Sequence, residues 1–327
     1  MPNDIINQLL ASDELSVRFK IFTNVMNESV NSAKIRKLQK QIKKSSRVST
    51  LLSERGIDGK IPYHPYQKWR GAHWILACLS DLGYPAGDKT LIPMREQVYD
   101  WLFSENHEKH IKTIEGLVRR CASQESYALF YLLKLGLADN RTHELARRLI
   151  KWQWPDGGWN CDKRPEARKS SFVESLIPFR ALSLHAKITG DKESKQAARR
   201  AVELFLKREL YKKLADGSVI KDSFIKLHYP CYYEYDILFA LKVMAETGYI
   251  GKKRCRAALS LLESKRLPDG GFPAEAKLYK VAEKNLVSRC SLADWGGTSK
   301  KHYNEFVTAD AIYVLQKAGR LKQAYFK

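Results

Sequence analysis

The feature that most constrains the fold is a repeated pair of helices, one apolar and one charged, with a glycine after each apolar helix. The apolar stretches show helical periodicity and span 66–82, 120–135, 171–189, 232–247 and 304–318. The glycines are Gly83, Gly136, Gly190, Gly248 and Gly319, at positions where a helix end favours left-handed backbone. They follow one another at intervals of 53, 54, 58 and 71 residues, which indicates an internal repeat.

More charged helices alternate with the apolar ones. They are predicted at 91–103, 143–151, 192–207 and 254–265. An amphipathic helix at 16–27 and a basic helix at 35–44 bring the totals to six buried helices and five outer ones. Strand signals are weak, so the sequence predicts an all-α chain of helical hairpins. Six hairpins can close into a ring or form an open solenoid, and periodicity leaves both arrangements open.

A turn device recurs between helices. Pro155 biases Trp154 away from helical geometry, so the preceding helix should stop there. The next residues, Asp-Gly-Gly at 156–158, form a turn because glycine tolerates positive φ. Trp159 then supplies a large apolar anchor. A second, weaker copy occupies 267–273, where the anchor is Phe272.

Charge and apolar runs restrict the class of protein. The 327-residue chain carries a net charge of +21, which favours anionic partners. Its basic residues are spread over predicted outer helix faces, so we expect a solvated basic exterior and no specific nucleic-acid surface. No apolar run approaches the ~20 residues of a membrane helix, and the start lacks a signal peptide. These features predict a cytoplasmic protein with six reduced cysteines.

The turn sequence resembles a known repeat. The pattern Trp152-Gln153-x-x-Asp156-Gly157-Gly158-Trp159 is similar to the QW-type repeat of squalene and terpene cyclases. The Asp-Gly-Gly turns also resemble those of protein prenyltransferase β subunits, and bacterial squalene-cyclase-like, prenyltransferase-repeat proteins are the nearest group.

This resemblance has consequences for fold and function. It implies a single-domain α/α toroid with six inner helices and outer helices around them. Residues 1–60 would complete the toroid, and residues 61–327 would form the repeat region. It also implies a central apolar cavity, often an isoprenoid site, with the amino-terminal ends of the inner helices at its mouth.

Acidic side chains near the inner helix starts are the candidate catalytic groups. The Asp-x-Asp-Asp acid of the cyclases is absent, and so is an Asp-Asp-x-x-Asp stretch, which disfavours proton-initiated cyclisation. We predict Glu174, Glu234 and Asp236 as catalytic candidates, with the two glutamates one turn inside their helices. Each of the two glutamates should either pair with Arg119 or Arg120 or acquire a raised pKa and serve as an acid.

Metal and ligand sites are expected at the same level of the ring. Protein prenyltransferases bind zinc through Asp, Cys and His, so the resemblance suggests Cys161, His228 and Cys231 as zinc ligands, although the Asp-x-x-Cys ligand pattern of that family is missing here. The alternative is a set of buried, inert thiols with a hydrogen-bonded histidine. The predicted ligand-binding residues, which would suit a lipid-like molecule or otherwise form core, are His73, Trp74, Gln124, Trp159, Tyr233 and Trp295.

Three functions follow as hypotheses. The first is a toroid of terpene cyclase or prenyltransferase type that handles an isoprenoid or lipid. The second is a zinc-dependent transferase with Cys and His ligands. The third is a non-catalytic scaffold that binds an acidic partner. The segment 277–301 is long for a connection and is expected either to cover one mouth of the ring or to be a disordered loop.

Overall fold

The structure, a computed structural model, describes residues 2–281 and 288–321. Its helices are α1 (Pro2–Ala11), α2 (Leu15–Lys20), α3 (Ala33–Lys43), α4 (Ser46–Leu51), α5 (Ala72–Leu82), α6 (Ile92–Leu102), α7 (Glu105–Lys109), α8 (Ser123–Lys134), α9 (Asn140–Trp152), α10 (Phe172–Thr189), α11 (Lys192–Leu206), α12 (Ile237–Glu246), α13 (Arg256–Glu263) and α14 (Glu305–Lys317). A π-helical turn, Ile21–Val25, extends α2, and short 3₁₀ turns are Lys89–Leu91, Asp222–Ile225 and Lys253–Cys255. The all-α prediction is confirmed.

The inner helices form a closed ring. Successive contacts run from α2 to α5, α8, α10, α12 and α14, and α14 packs back against α2 and its π-helical turn. The outer helices α3, α6, α9, α11 and α13 each pack against the inner helix that precedes them in the chain. The toroid is therefore the arrangement adopted, and an open solenoid is ruled out because the last inner helix contacts the first.

Glycines end the repeats as the sequence predicts. All five have positive φ, between 63° and 81°. They are Gly83, Gly136, Gly190, Gly248 and Gly319.

Two inner helices begin five or more residues later than the periodicity indicated. Helix α5 begins at Ala72 instead of residue 66, after a run of turns. Helix α12 begins at Ile237 instead of residue 232, because the Asp236 carboxylate accepts the Phe239 N–H at 2.7 Å and caps the helix there. Glu234 consequently lies in the turn before α12 and not one turn inside it.

The first copy of the turn is locked by backbone and side-chain hydrogen bonds. Trp154 N–H donates to the Gly158 carbonyl at 2.8 Å, and Gly157 N–H donates to the Trp154 carbonyl at 2.9 Å. Trp159 is buried, and its N–H donates to the Ser175 hydroxyl at 2.9 Å. The turn thereby attaches the end of α9 to the first turns of α10.

The second copy repeats the same bonds. Leu267 N–H donates to the Gly271 carbonyl and Gly270 N–H donates to the Leu267 carbonyl, both at 2.9 Å. Phe272 is buried, and its N–H donates to the Thr308 hydroxyl at 2.9 Å. One device therefore joins α9 to α10 and α13 to α14.

The strands are short and peripheral. Strand β1 (Lys112–Ile114) pairs antiparallel with β2 (Leu117–Arg119), and β3 (Lys280–Val281) pairs parallel with β4 (Cys290–Ser291). The predicted insert contributes β3, β4 and buried Trp295, although residues 282–287 lie outside the described residues. Within the described ranges, no helix combines the length and apolarity needed to cross a membrane.

Candidate functional site

Two thiols and a carboxylate converge at the amino-terminal ends of α8 and α10. Cys121 lies just before α8, Cys161 follows the first turn device, and Glu174 lies in the first turn of α10. Their sulfur and oxygen ligand atoms all lie within 4.8 Å of one another. We call these three residues the Cys–Cys–Glu site. Since α8 and α10 are adjacent in the ring, the fold brings residues 53 positions apart into one cluster.

The surrounding backbone holds the Cys–Cys–Glu site in place. Arg120 N–H donates to the Asn160 carbonyl at 3.1 Å, which joins the segment before α8 to the segment that carries Cys161. Asp156 accepts the Ser170 N–H at 2.9 Å, and Ser171 caps α10. The turn, the cap and this bridge together set the approach of the three ligand side chains.

Glu174 is buried and forms no ion pair with any residue of 2–281 or 288–321. One carboxylate oxygen accepts the Ser123 N–H at 3.0 Å, and the Cys161 thiol lies 3.9 Å from the other. Arg120 pairs with Glu125 at 2.9 Å, so the expected partner is engaged elsewhere. Arg119 donates to a backbone carbonyl instead. Burial raises the pKa of Glu174, which is the second of the two outcomes expected for this carboxyl.

The hydrogen bond between the two thiols shifts their pKa values in opposite directions. A hydrogen bond from the Cys121 thiol lowers the pKa of Cys161, although burial opposes this. The same hydrogen bond and then burial raise the pKa of Cys121. Cys161 is therefore the thiol more readily converted to a thiolate, the form that attacks electrophiles and binds zinc.

The other predicted metal ligands lie in a different arrangement. The His228 ring nitrogen Nδ1 lies 2.8 Å from the Asp236 carboxylate, and the His228 N–H donates to the same carboxylate at 2.9 Å. The Cys231 thiol lies 4.0 Å from the His228 carbonyl. Among the described residues, Cys161, His228 and Cys231 do not form a group of three ligand atoms, since Cys161 belongs to the Cys–Cys–Glu site. Asp236 caps α12 and pairs with histidine.

The half-buried candidates make local polar contacts. Glu234 lies 3.8 Å from Arg289 at the edge of the ring. The Tyr233 hydroxyl accepts a hydrogen bond from Lys68 at 2.7 Å. The side-chain oxygen of Gln124 accepts a hydrogen bond from Arg120 at 2.7 Å. Their assignment as catalytic or ligand-binding residues stays a prediction.

The remaining candidates belong to the packed interior. His73 is buried, its Nδ1 lies 3.1 Å from the Tyr131 hydroxyl, and burial lowers its pKa to about 3. Trp74, Trp159 and Trp295 are each at most 1% exposed. Trp159 is the turn anchor, so its position is explained by packing. A ligand-binding role for these four residues stays a prediction.

The structure also shows charged groups within the ring that sequence reasoning passed over. Lys20, Asp81, Arg180 and Lys242 face a cavity of about 470 Å³ near the carboxyl-terminal ends of the inner helices. Asp81, Arg180 and Lys242 are isolated charges in largely apolar helical stretches, and that signal could have identified them, whereas Lys20 lies two residues after Arg18. The lining differs from the apolar cavity that the resemblance implied, because charged side chains share it with aromatic ones.

Comparison with known proteins gives similarity in shape. No family model matches the chain, and no curated protein matches it. The similar solved structures include complexes of the type II terpene cyclase MstE from Scytonema. Two variant complexes with geranylgeranyl dihydroxybenzoate have a TM-score of 0.45 at 14% identity, covering 94% of this chain and 87% of that one.

A third MstE complex holds the product merosterolic acid A. It has a TM-score of 0.43 at 14% identity and covers 97% of this chain and 99% of that one. The similar structures are terpene cyclases, the class that the turn sequence suggested. At this identity and TM-score, the similarity assigns neither a substrate nor a functional residue to this chain.

Proposed function

We propose that the Cys–Cys–Glu site holds Zn²⁺ and that the protein is a zinc-dependent transferase. The observation that supports this is the spacing of the Cys121, Cys161 and Glu174 ligand atoms, all within 4.8 Å of one another. Two thiolates and one carboxylate suit zinc, and three protein ligands leave a fourth position free for a substrate group. This ligand set replaces the Cys161, His228 and Cys231 set expected from the sequence.

The chain's own groups fit a cation at this position. Glu174 is buried, and no basic group in the described part of the chain lies within ion-pair distance, so its ionised form lacks an adjacent compensating charge. The Ser123 N–H orients one of its oxygens. A zinc ion held here would supply positive charge that favours the thiolate form of its ligands and of an incoming thiol. Cys161, whose pKa is already lowered, would lose its proton first.

Metal analysis of the purified full chain tests this proposal. We expect about one zinc per chain after dialysis, and a cobalt-loaded sample should show sulfur-to-metal absorption. Cys161→Ser and Cys121→Ser should lose both signals. Cys255→Ser is the control for loss of a free thiol, because Cys255 is a buried free thiol at the start of α13 and does not belong to the Cys–Cys–Glu site. A folded wild-type protein that takes up neither metal would refute the proposal.

An isoprenoid-like ligand inside the ring is a second candidate function. The specific observation is the central cavity of about 470 Å³, whose wall includes Phe19, Phe130 and Tyr313. Its size falls within the range of roughly 300–1,000 Å³ found for small-molecule sites. The similar MstE structures contain a geranylgeranyl-bearing substrate, which is an isoprenoid.

Thermal denaturation with a series of polyprenyl alcohols tests this second function. A ligand that binds only the folded state must raise the melting temperature. We expect stabilisation that increases with prenyl chain length and then stops when the cavity is full. No shift with any chain length would exclude an isoprenoid alcohol as the ligand.

A further inference from the structure

The central cavity lies apart from the Cys–Cys–Glu site. Lys134 and Lys187, which line the cavity, are in the last turns of α8 and α10. Glu174, by contrast, is in the first turn of α10. Thirteen residues of helix separate Glu174 from Lys187, which corresponds to about 20 Å along the axis. The cavity therefore needs its own functional account.

Three charged groups at the cavity, Lys20, Asp81 and Lys242, form a balanced network with Asp310. Lys20 contacts Asp81 at 2.7 Å and Asp310 at 3.1 Å. Lys242 contacts Asp81 at 3.0 Å and Asp310 at 2.8 Å. Two ammonium groups thus face two carboxylates, and the hydroxyl of Tyr229 also donates to Asp81 at 2.7 Å. This network contributes no net charge.

Arg180 is balanced separately. Its guanidinium makes two hydrogen bonds to the Glu246 carboxylate, both at 2.6 Å. It also lies 3.9 Å from the centre of the Phe130 ring, which stabilises the cation further. A bidentate pair of this kind is geometrically fixed and neutral.

Two lysines at the cavity are left over. Within residues 2–281 and 288–321, neither Lys134 nor Lys187 makes a hydrogen bond or an ion pair. Both lysines are exposed, so water solvates their ammonium groups where they line the cavity. A lysine near a helix carboxyl terminus is favoured by the helix dipole. The dipole explains a positive charge at each helix end, but not why two such charges face one cavity.

The size and the lining of the cavity indicate which kind of ligand could bind between the ammonium groups of Lys134 and Lys187. A volume of about 470 Å³ is far larger than a bare phosphate ion needs. Aromatic side chains, Phe19, Phe130 and Tyr313, provide apolar surface beside the charges. A ligand that matches both features has a doubly charged head and an apolar body. Lysine ammonium groups bind phosphate as point charges, and a phosphate monoester is close to a dianion at neutral pH.

We propose that this cavity is a binding site for a small organic phosphate. Its phosphoryl group lies between Lys134 and Lys187, and its apolar body lies against Phe19, Phe130 and Tyr313. The site occupies the same cavity as the second candidate function, but it requires the anionic head and not an isoprenoid. It is also independent of zinc, because no residue is shared with the Cys–Cys–Glu site.

Calorimetry with three probes tests the site: phenyl phosphate, inorganic phosphate and phenol, each at one fixed ionic strength. We expect phenyl phosphate to bind more tightly than inorganic phosphate, and phenol to give no saturable heat. Lys134→Met with Lys187→Met should weaken phenyl phosphate binding at least 10-fold. Lys151→Met is the matched control, because Lys151 is an exposed lysine in the last turn of the outer helix α9.

The outcomes separate this site from the zinc proposal. Zinc content should be the same in wild type and in the double lysine variant, and Cys161→Ser should retain phenyl phosphate binding. No saturable binding by wild type, or equal binding by the double variant, would overturn the proposal. Equal affinities for phenyl phosphate and inorganic phosphate would overturn the apolar half of the site. If the double variant folds poorly, Lys134→Gln and Lys187→Gln alone provide the same comparison.

Discussion

The two ends of the ring bury carboxyl groups under opposite electrostatic conditions. At the amino-terminal end, Glu174 has no ion-pair partner among the described residues, and burial raises its pKa. At the carboxyl-terminal end, burial would also raise the pKa of Asp81, but Lys20 and Lys242 hold it well below its usual range. The difference shows that burial alone does not set the charge of a group inside this toroid. The charged neighbours decide whether a carboxylate is structural or available for chemistry.

Removing the carboxylate at the charged end should have the largest effect. Asp81→Asn leaves Lys20 and Lys242 with one carboxylate between them, so two buried ammonium groups lose compensation. We expect the free energy of unfolding to fall by about 3–5 kcal/mol. Urea denaturation at pH 7 measures this. Glu174→Gln in the metal-free protein should change stability by less than about 1.5 kcal/mol, because no ion pair is broken.

Glu144→Gln provides the control for a lost charge. It breaks a surface ion pair with Arg147, which is worth less than about 1 kcal/mol. If Asp81→Asn proves no more costly than this control, the proposed contrast between the two ends is incorrect.

Glycine substitutions test how rigidly the amino-terminal end is built. Gly157 has a φ of 94°, and an added Cβ would lie 2.4 Å from the Arg200 carbonyl oxygen. Gly270, its counterpart, has a φ of 89°, but the nearest atom would be Ile5 Cγ2 at 3.3 Å. Both alanine variants pay about 1–3 kcal/mol for left-handed backbone. Gly157→Ala should be the more destabilised in thermal unfolding, because a backbone atom cannot move aside as a side chain can.

Gly217→Ala separates the two contributions. Gly217 has a φ of 71° and nothing within 4 Å of the added Cβ, so this variant reports the backbone cost alone. Gly157→Ala should also weaken zinc binding at the Cys–Cys–Glu site, which follows directly after the turn. Equal destabilisation of Gly157→Ala and Gly217→Ala would mean that the close approach to Arg200 is not a constraint.

Two buried histidines at the amino-terminal end should respond to pH in opposite directions. Burial lowers the pKa of His73 to about 3, so only the unfolded chain binds this proton between about pH 6.5 and pH 3. Stability from His73 therefore falls as pH decreases through that window. For His228, burial acts to lower the pKa, but the charge and hydrogen bond of Asp236 outweigh it and raise the pKa. Its contribution is complete below the unfolded value of about 6.5 and is lost as pH rises through the folded value.

Stability against pH in paired variants measures both effects. His73→Gln should flatten the acid side of the profile, and His228→Gln should flatten the neutral side. A single histidine changes the slope of stability against pH by at most about 1.4 kcal/mol per pH unit. The difference between variant and wild type is therefore small between neighbouring pH values. Parallel changes in the two variants would contradict the assigned environments.

Local sequence patterns were sufficient to predict the helical repeat. Helix periodicity, the capping glycines and the turn at 151–162 all depend on residues within a few positions of one another, so the sequence predicts them directly. Helix starts were less predictable where a side chain intervened, as Asp236 does before α12. The turn also predicted that Cys161 lies in the connection after α9, but not which side chains Cys161 would contact.

Tertiary structure decided the closure of the ring and the composition of both sites. Closure depends on α14 meeting α2, and the Lys20–Asp310 pair joins residues 290 positions apart. Cys161 meets Cys121 and Glu174, while His228 pairs with Asp236, because neighbouring inner helices set these distances. Periodicity indicates which face of a helix is buried. The composition of a site also depends on which neighbouring helices pack against that face. Those partners are fixed only when the hairpins close into the ring.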